Sequence, residues 1–191
     1  GIVAFAGTAS VVQPSTLARE DLVAAIDKFQ LQRGTAIGNG IVVSLAELFP
    51  NAGISLDAMQ NGRDRQRGVS LDQAGKDKDA KPAFVPVAPG SYTSAAIILL
   101  TDGQRTTGVD SLEAAKAAAD RGIRVYTVGV GTVDGETIGF EGWSMRVKLD
   151  EETLKGIART TQAEYFYAGT AADLKKVYET LSSRLAVEKK E

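Results

Sequence analysis

Two residue types are missing from this 191-residue chain, histidine and cysteine. Without His there is no Ser-His-Asp triad, no His-ligated zinc and no imidazole general base. Without Cys there is no disulfide, no thiolate metal site and no thiol nucleophile. A Cys-free domain folds on either side of a membrane, so the compartment stays open. Aromatic residues are sparse at 6%, with a single Trp. The net charge of −2 gives no electrostatic case for a nucleic-acid partner. No apolar run approaches the ~20 residues a membrane-spanning helix needs. The opening Ile2-Val3-Ala4-Phe5-Ala6 has neither the charged start nor the long apolar centre of a signal peptide. Carboxylate, Lys and Tyr chemistry remains available, but these absences weigh against an enzyme.

What is present reads as one α/β domain over residues 1–187, followed by a fully charged tail at 188–191. Gly1–Ala6 and Ala9–Gln13, turned by Gly7-Thr8, form an expected antiparallel hairpin. Pro14 ends it, and Ser15 or Thr16 is placed to cap a helix with Leu22, Ile26 and Phe29 on one face. A glycine-rich loop, Arg33 to Gly40, leads to a second helix that buries Ile41, Leu45, Leu48 and Phe49. Residues 60–93 mix both charge signs densely and add Pro82, Pro86 and Pro89, the composition of an exposed insertion.

Ala95 to Thr101 is a continuous apolar run, as in a parallel strand covered on both faces, and it ends at Asp102-Gly103. A helix over Leu112–Arg121, capped by Ser111 and closed by Gly122, precedes a β-rich run from Ile123 to Gly129. That is a βαβ unit with a right-handed crossover. Thr132–Val147 suggests an irregular hairpin carrying Phe140 and Trp143, and Asp150 caps a helix around Leu154 and Ile157. A short strand over Glu164–Tyr167 and a helix opened by Thr170 and Asp173 complete the order. The fold class is therefore an open, doubly wound, mostly parallel sheet with helices on both faces and an antiparallel edge strand.

In such sheets ligands bind beyond the carboxyl ends of the strands. Asp102 stands at such an end, and the loop holding Thr35 is the second lining. One carboxylate and one hydroxyl suit a hard cation such as Mg²⁺. The plainer alternative is that Asp102 opens a turn and Thr35 caps a helix. Gly129-Val130-Gly131 lacks the third glycine and helix of a dinucleotide fingerprint. Asp150-Glu151-Glu152 is explained by the helix dipole rather than by acid–base work.

Four stretches, in this order, resemble landmarks of the von Willebrand factor A domain: Gly1–Ala9, Gly34-Thr35-Ala36-Ile37-Gly38, Ile97–Gly103 and Gly122–Thr132. The likeness is to bacterial, membrane-anchored members of the aerotolerance-operon type. It implies a metal-ion-dependent adhesion site, for which Thr35 matches the second-loop Thr and Asp102 the third-loop Asp. The family's Asp-x-Ser-x-Ser loop has no match in this chain. Its first, central strand and first helix would precede Gly1. The resemblance thus implies a domain truncated at its start, binding Mg²⁺ or Mn²⁺ weakly or not at all in isolation. Exposed strand edges would leave it marginally stable or drive pairing with another chain.

The resemblance further implies a non-enzymatic protein–protein interaction module in a bacterial membrane-associated complex. Its partner would offer an acidic residue to the metal, and other von Willebrand A proteins or a MoxR-type AAA ATPase are the expected company. The membrane would be reached through segments outside this chain, with residues 188–191 near it. Two other readings stay open: a metal-independent scaffold, and a carboxylate-based Mg²⁺-dependent hydrolase. The hydrolase needs a second acidic residue beside Asp102, and the sequence offers none at a strand end.

Overall fold

The computed structural model describes residues 1–29, 32–59, 84–130, 136–140, 143–147 and 149–187. In chain order it holds β1 (Ile2–Phe5), β2 (Ala9–Gln13), α1 (Arg19–Ile26), α2 (Ile37–Leu48), β3 (Ala96–Thr101), α3 (Ser111–Ala119), β4 (Arg124–Val130), β5 (Glu136–Phe140), β6 (Trp143–Val147), α4 (Glu151–Thr160), β7 (Tyr165–Ala168) and α5 (Ala171–Val187). Strands β3, β4 and β7 form a parallel sheet in that order, while β1–β2 and β5–β6 are separate antiparallel hairpins. The antiparallel pair expected at the sheet edge is therefore a sheet of its own. Among the described residues β3 is paired only to β4, and β1 only to β2.

The apolar run of β3 is explained by cover on both faces. On one face Ile97, Leu99 and Val125 join Ile37, Ile41, Leu45, Ala115, Ala118, Leu154 and Ile157 from α2, α3 and α4. On the other, Ile98, Leu100, Tyr126, Val128 and Phe166 meet Leu174, Val177 and Leu181 of α5. Helices thus lie on both faces of the sheet. Alternate residues of a strand point to opposite faces, which is why Tyr165 and Phe166 divide between the two cores. Helix α2 also packs against β1 and β2, so it bridges the hairpin and the parallel sheet. Gly40 makes that possible, since a Cβ there would stand 2.8 Å from the Phe5 ring.

The starts of α1 and α3 depart from the sequence expectation. Helix α1 has Ala18 at its N-cap and no side-chain cap, because the Thr16 hydroxyl accepts the Ala18 N–H outside the helix. It stops at Ile26, so Phe29 falls beyond it, and Ile26 and Phe29 are about half exposed (52% and 49%) instead of buried. Helix α3 is capped by Asp110, whose carboxylate accepts from the Leu112 and Glu113 N–H groups, while Ser111 is buried as its first residue. Asp150 caps α4 as expected, and Thr170 and Asp173 bond each other reciprocally at the start of α5. The expected insertion is described only from residue 84, and its first part lies outside the described residues. Beyond the exposed Phe84 and Val85, this stretch is tied down at the far end of α3, where Val87 N–H donates to Asp120 and Tyr92 N–H to Gly122.

Both α3 and α4 end in the paired 6→1 and 5→2 bonds of a Schellman motif. Gly122 (φ 72°) supplies the left-handed residue after α3, and Gln162 (φ 57°) supplies it after α4. Thr161, fully buried beside Gln162, accepts the Val125 N–H at 3.0 Å and donates to Ile157 O at 3.1 Å. Thr161→Val keeps the shape but orphans a buried N–H, which should cost about 1–3 kcal/mol. Urea unfolding followed by circular dichroism checks this, with a lowered midpoint at unchanged slope as the expected result.

Candidate functional site

The carboxyl end of β3 and the stretch before α2 carry the loops that matter. Asp102 follows β3 directly and is half-buried, and its Oδ1 accepts the Gln104 N–H at 3.1 Å, turning the chain at once. Gly103 takes φ 83°, and a Cβ on it would lie 2.5 Å from Asp150 O, so glycine is required there. The third loop then runs 102–110 and is braced from within by Arg105, which donates to Gly108 O and pairs with Asp110 at 3.6 Å.

Thr35 lies on the adjoining loop before α2. Its N–H donates to the Thr106 hydroxyl at 2.8 Å, and the Thr106 N–H donates to Thr35 O at 3.0 Å. These reciprocal bonds clamp the second loop to the third. The start of α2 adds a further link: the buried Asn39 accepts the Val109 N–H at 2.8 Å. The glycine-rich stretch expected as loop is helical from Ile37 onward, which brings Gly38 against Val109 O. Gly7, in the turn between β1 and β2, sits beside Gly34, and Ala6 O accepts the Ala36 N–H. A shallow cavity of about 370 Å³ opens beside this junction, lined by Gly7, Asn39, Met59, Thr107 and Gly108 among others.

The structure thus places the loops of Thr35 and Asp102 in direct contact. It also brings Asp150 next to Asp102, which no strand-end pattern in the sequence signalled: Asp150 N–H donates to Asp102 O at 2.8 Å. The Asp150 carboxylate is occupied as a helix cap, accepting the Thr153 N–H at 3.2 Å and the Thr153 hydroxyl at 2.7 Å. Both of its oxygens thus accept hydrogen bonds from Thr153. Next to it, Glu151 accepts the Tyr165 hydroxyl at 3.0 Å and pairs with Lys155 at 2.6 Å. The Lys155 ammonium and the Tyr165 hydroxyl hold the Glu151 carboxyl below its ordinary value. Burial first, then the Glu151 bond, push the Tyr165 hydroxyl far above its usual range.

For a cation, the donor chemistry is right in kind and short in number. A carboxylate and a hydroxyl are hard oxygen donors, and Mg²⁺ takes few protein ligands and keeps waters. Among the described residues no group of three or more His, Cys, Asp or Glu side chains converges anywhere. Thr35 and Asp102 thus fit part of a coordination shell.

Residues 89–180 match the family model of the von Willebrand factor type A domain. A UPF0353 protein of Nocardia farcinica is 31% identical, aligned over 98% of this chain and 51% of that protein. The chain spans about half the length of the curated relatives it matches. Among solved structures, the conserved hypothetical protein BatB from Bacteroides thetaiotaomicron superposes with a TM-score of 0.65 at 23% identity, covering 96% of this chain and 77% of that one. An aerotolerance-related membrane protein from Bacteroides fragilis gives 0.60 at 21% identity, covering 93% and 75%. Proximal thread matrix protein 1 from the mussel byssus, solved with a zinc-occupied MIDAS motif, gives 0.50 at 16% identity, covering 93% and 34%.

Proposed function

Starting from the von Willebrand factor type A fold that this chain carries, we propose that it is a non-enzymatic protein-binding module whose binding face is the loop cluster around Thr35 and Asp102. The observation that carries the proposal is the Thr35–Thr106 clamp, which brings the hydroxyl-bearing and carboxylate-bearing loops together at the carboxyl end of the parallel sheet. Thr35 would offer a hydroxyl and Asp102 a carboxylate, directly or through water, to a Mg²⁺ or Mn²⁺ ion. When bound, such an ion attracts an acidic side chain from the partner. The zinc-occupied motif in the mussel protein supports metal binding as a capability of this fold.

A bacterial membrane-associated complex is the setting we infer, on the strength of the aerotolerance-related membrane protein. Among the described residues no helix is long and apolar enough to cross a membrane. Attachment would fall to segments beyond the described residues. Other von Willebrand A proteins and a MoxR-type AAA ATPase are the proposed partners.

The test is retention of native membrane-fraction partners by the immobilised full-length protein. Retention in Mg²⁺, release by EDTA and failure of Asp102→Ala to retain them is the expected result. Retention indifferent to both EDTA and Asp102→Ala would replace this reading with a metal-independent scaffold. Turnover of phosphate esters in Mg²⁺ that is lost in Asp102→Ala would replace it with a hydrolase.

A further inference from the structure

The third loop is held at its Asp102 end from outside as well as braced from within. Its carboxylate residue is anchored by a backbone bond to the first turn of α4, Asp150 N–H to Asp102 O at 2.8 Å. The contact is close, since a Cβ on Gly103 would meet Asp150 O at 2.5 Å and Leu154 at 3.1 Å. The start of α4 is in turn pinned to the sheet by the neighbouring residue. Glu151 receives the Tyr165 hydroxyl at 3.0 Å on one oxygen and the Lys155 ammonium at 2.6 Å on the other. Lys155 also lies 5.4 Å from the centre of the Tyr165 ring, so the three side chains close on one another.

The sheet makes room for this group. Tyr165 begins β7 opposite Thr127, and its hydroxyl reaches past to Gly129, where a Cβ would stand 2.7 Å from it. Any larger residue at 129 would push the hydroxyl off Glu151. A tyrosine, a glutamate and a lysine from β7 and α4, with a glycine of β4 beneath them, thus fix the helix turn that fixes Asp102.

We infer that Tyr165, Glu151 and Lys155 form a positioning latch that sets the Asp102 loop for cation binding. This deepens the proposed function and rests on it. None of the three touches the cation: they act through the Asp150–Asp102 backbone bond. The latch has no free acidic group to offer as a ligand, since both Glu151 oxygens are engaged. It is a device for geometry, and its loss should weaken affinity without unfolding the domain.

The experiment is Mn²⁺ titration of the full-length protein by calorimetry, with hydrogen exchange at the Asp150 amide read by NMR. Tyr165→Phe keeps the ring and removes one hydrogen bond, and Glu151→Ala removes the whole hub. Both should weaken Mn²⁺ about 3–10-fold, the factor carried by one hydrogen bond of ordinary net strength. Both should also speed Asp150 amide exchange, with the thermal midpoint nearly unchanged. Glu151→Gln retains an acceptor for Tyr165 and should stay within about twofold of wild type, as a lost surface ion pair contributes little. Tyr178→Phe, on α5, is the neutral control.

If Asp102→Ala abolishes binding while Tyr165→Phe and Glu151→Ala keep full affinity, the latch is wrong and the proposed function stands. Weaker Mn²⁺ binding with unchanged Asp150 exchange also overturns it, because the effect would then not pass through that bond. If Asp102→Ala binds as wild type does, the proposed function falls and the latch with it.

Discussion

Gly38→Ala should destabilise the protein by about 2 kcal/mol even though alanine is the better helix former. Gly38 lies in the first turn of α2, where alanine would ordinarily gain up to ~1 kcal/mol over glycine. Here the added Cβ would stand 2.2 Å from Val109 O, 2.8 Å from Val109 C and 3.0 Å from Asp110 O. All three are backbone atoms, so no side chain can swing aside. Overpacking of this kind costs roughly 1–3 kcal/mol and shifts backbone. The backbone that must move carries the Asn39–Val109 bond and the Asp110 cap of α3, so losses there add to the clash. For a domain of this size the midpoint should fall by about 4–8 °C. Gly156→Ala in α4 is the matched control: its Cβ would meet only the end of the Leu112 side chain, at 3.1 Å. That variant should be neutral or stabilised by up to ~1 kcal/mol. Differential scanning calorimetry of both variants checks the pair, and equal midpoints would refute the close packing of α2 on the third loop.

Ile41→Ala should have a larger effect, about 3 kcal/mol, within the 2–5 kcal/mol range for truncating a buried aliphatic side chain. Ile41 is fully buried on α2, which packs against β1, β2 and β3 alike. The hairpin and the parallel sheet share no pairing among the described residues, so the cavity opens where the two are joined. Chemical denaturation should show both a lower midpoint and, if the hairpin releases separately, a transition that is no longer single. Val23→Ala on α1, half exposed, should stay within about 0.5 kcal/mol. A change at Ile41 no larger than at Val23 would mean that α2 is not the bridge.

Much of the parallel sheet was legible because its signal is local. The apolar run before Asp102, the alanine-rich helix closed by Gly122 and the Asp150 cap each need only neighbours in sequence. What escaped depended on contacts between distant segments. Gly38 and Gly40 read as loop because glycine disfavours helices; α2 includes them because Val109 O and the Phe5 ring occupy the space their side chains would need. Asp110 and Ser111 are both capping types, and the carboxylate one residue earlier takes the exposed amides. The burial expected of Ile26 and Phe29 failed because α1 lies at the margin, packed chiefly against β2.

At the candidate site, Asp102 at its strand end and the loop of Thr35 were visible in the sequence, and their clamp through Thr106 was not. Asp150 and the Tyr165–Glu151 pair lie 48 and more residues from Asp102 in sequence and meet it only because parallel strands gather their following loops at one end.

Calorimetric titration of Mn²⁺ and Mg²⁺ into the protein and its Asp102→Ala and Thr35→Ala variants reads the central claim most directly. The account predicts saturable binding by the protein, weaker binding by Thr35→Ala and none by Asp102→Ala. Identical heats for the protein and Asp102→Ala would contradict it, and leave a fold that holds its partners without a metal.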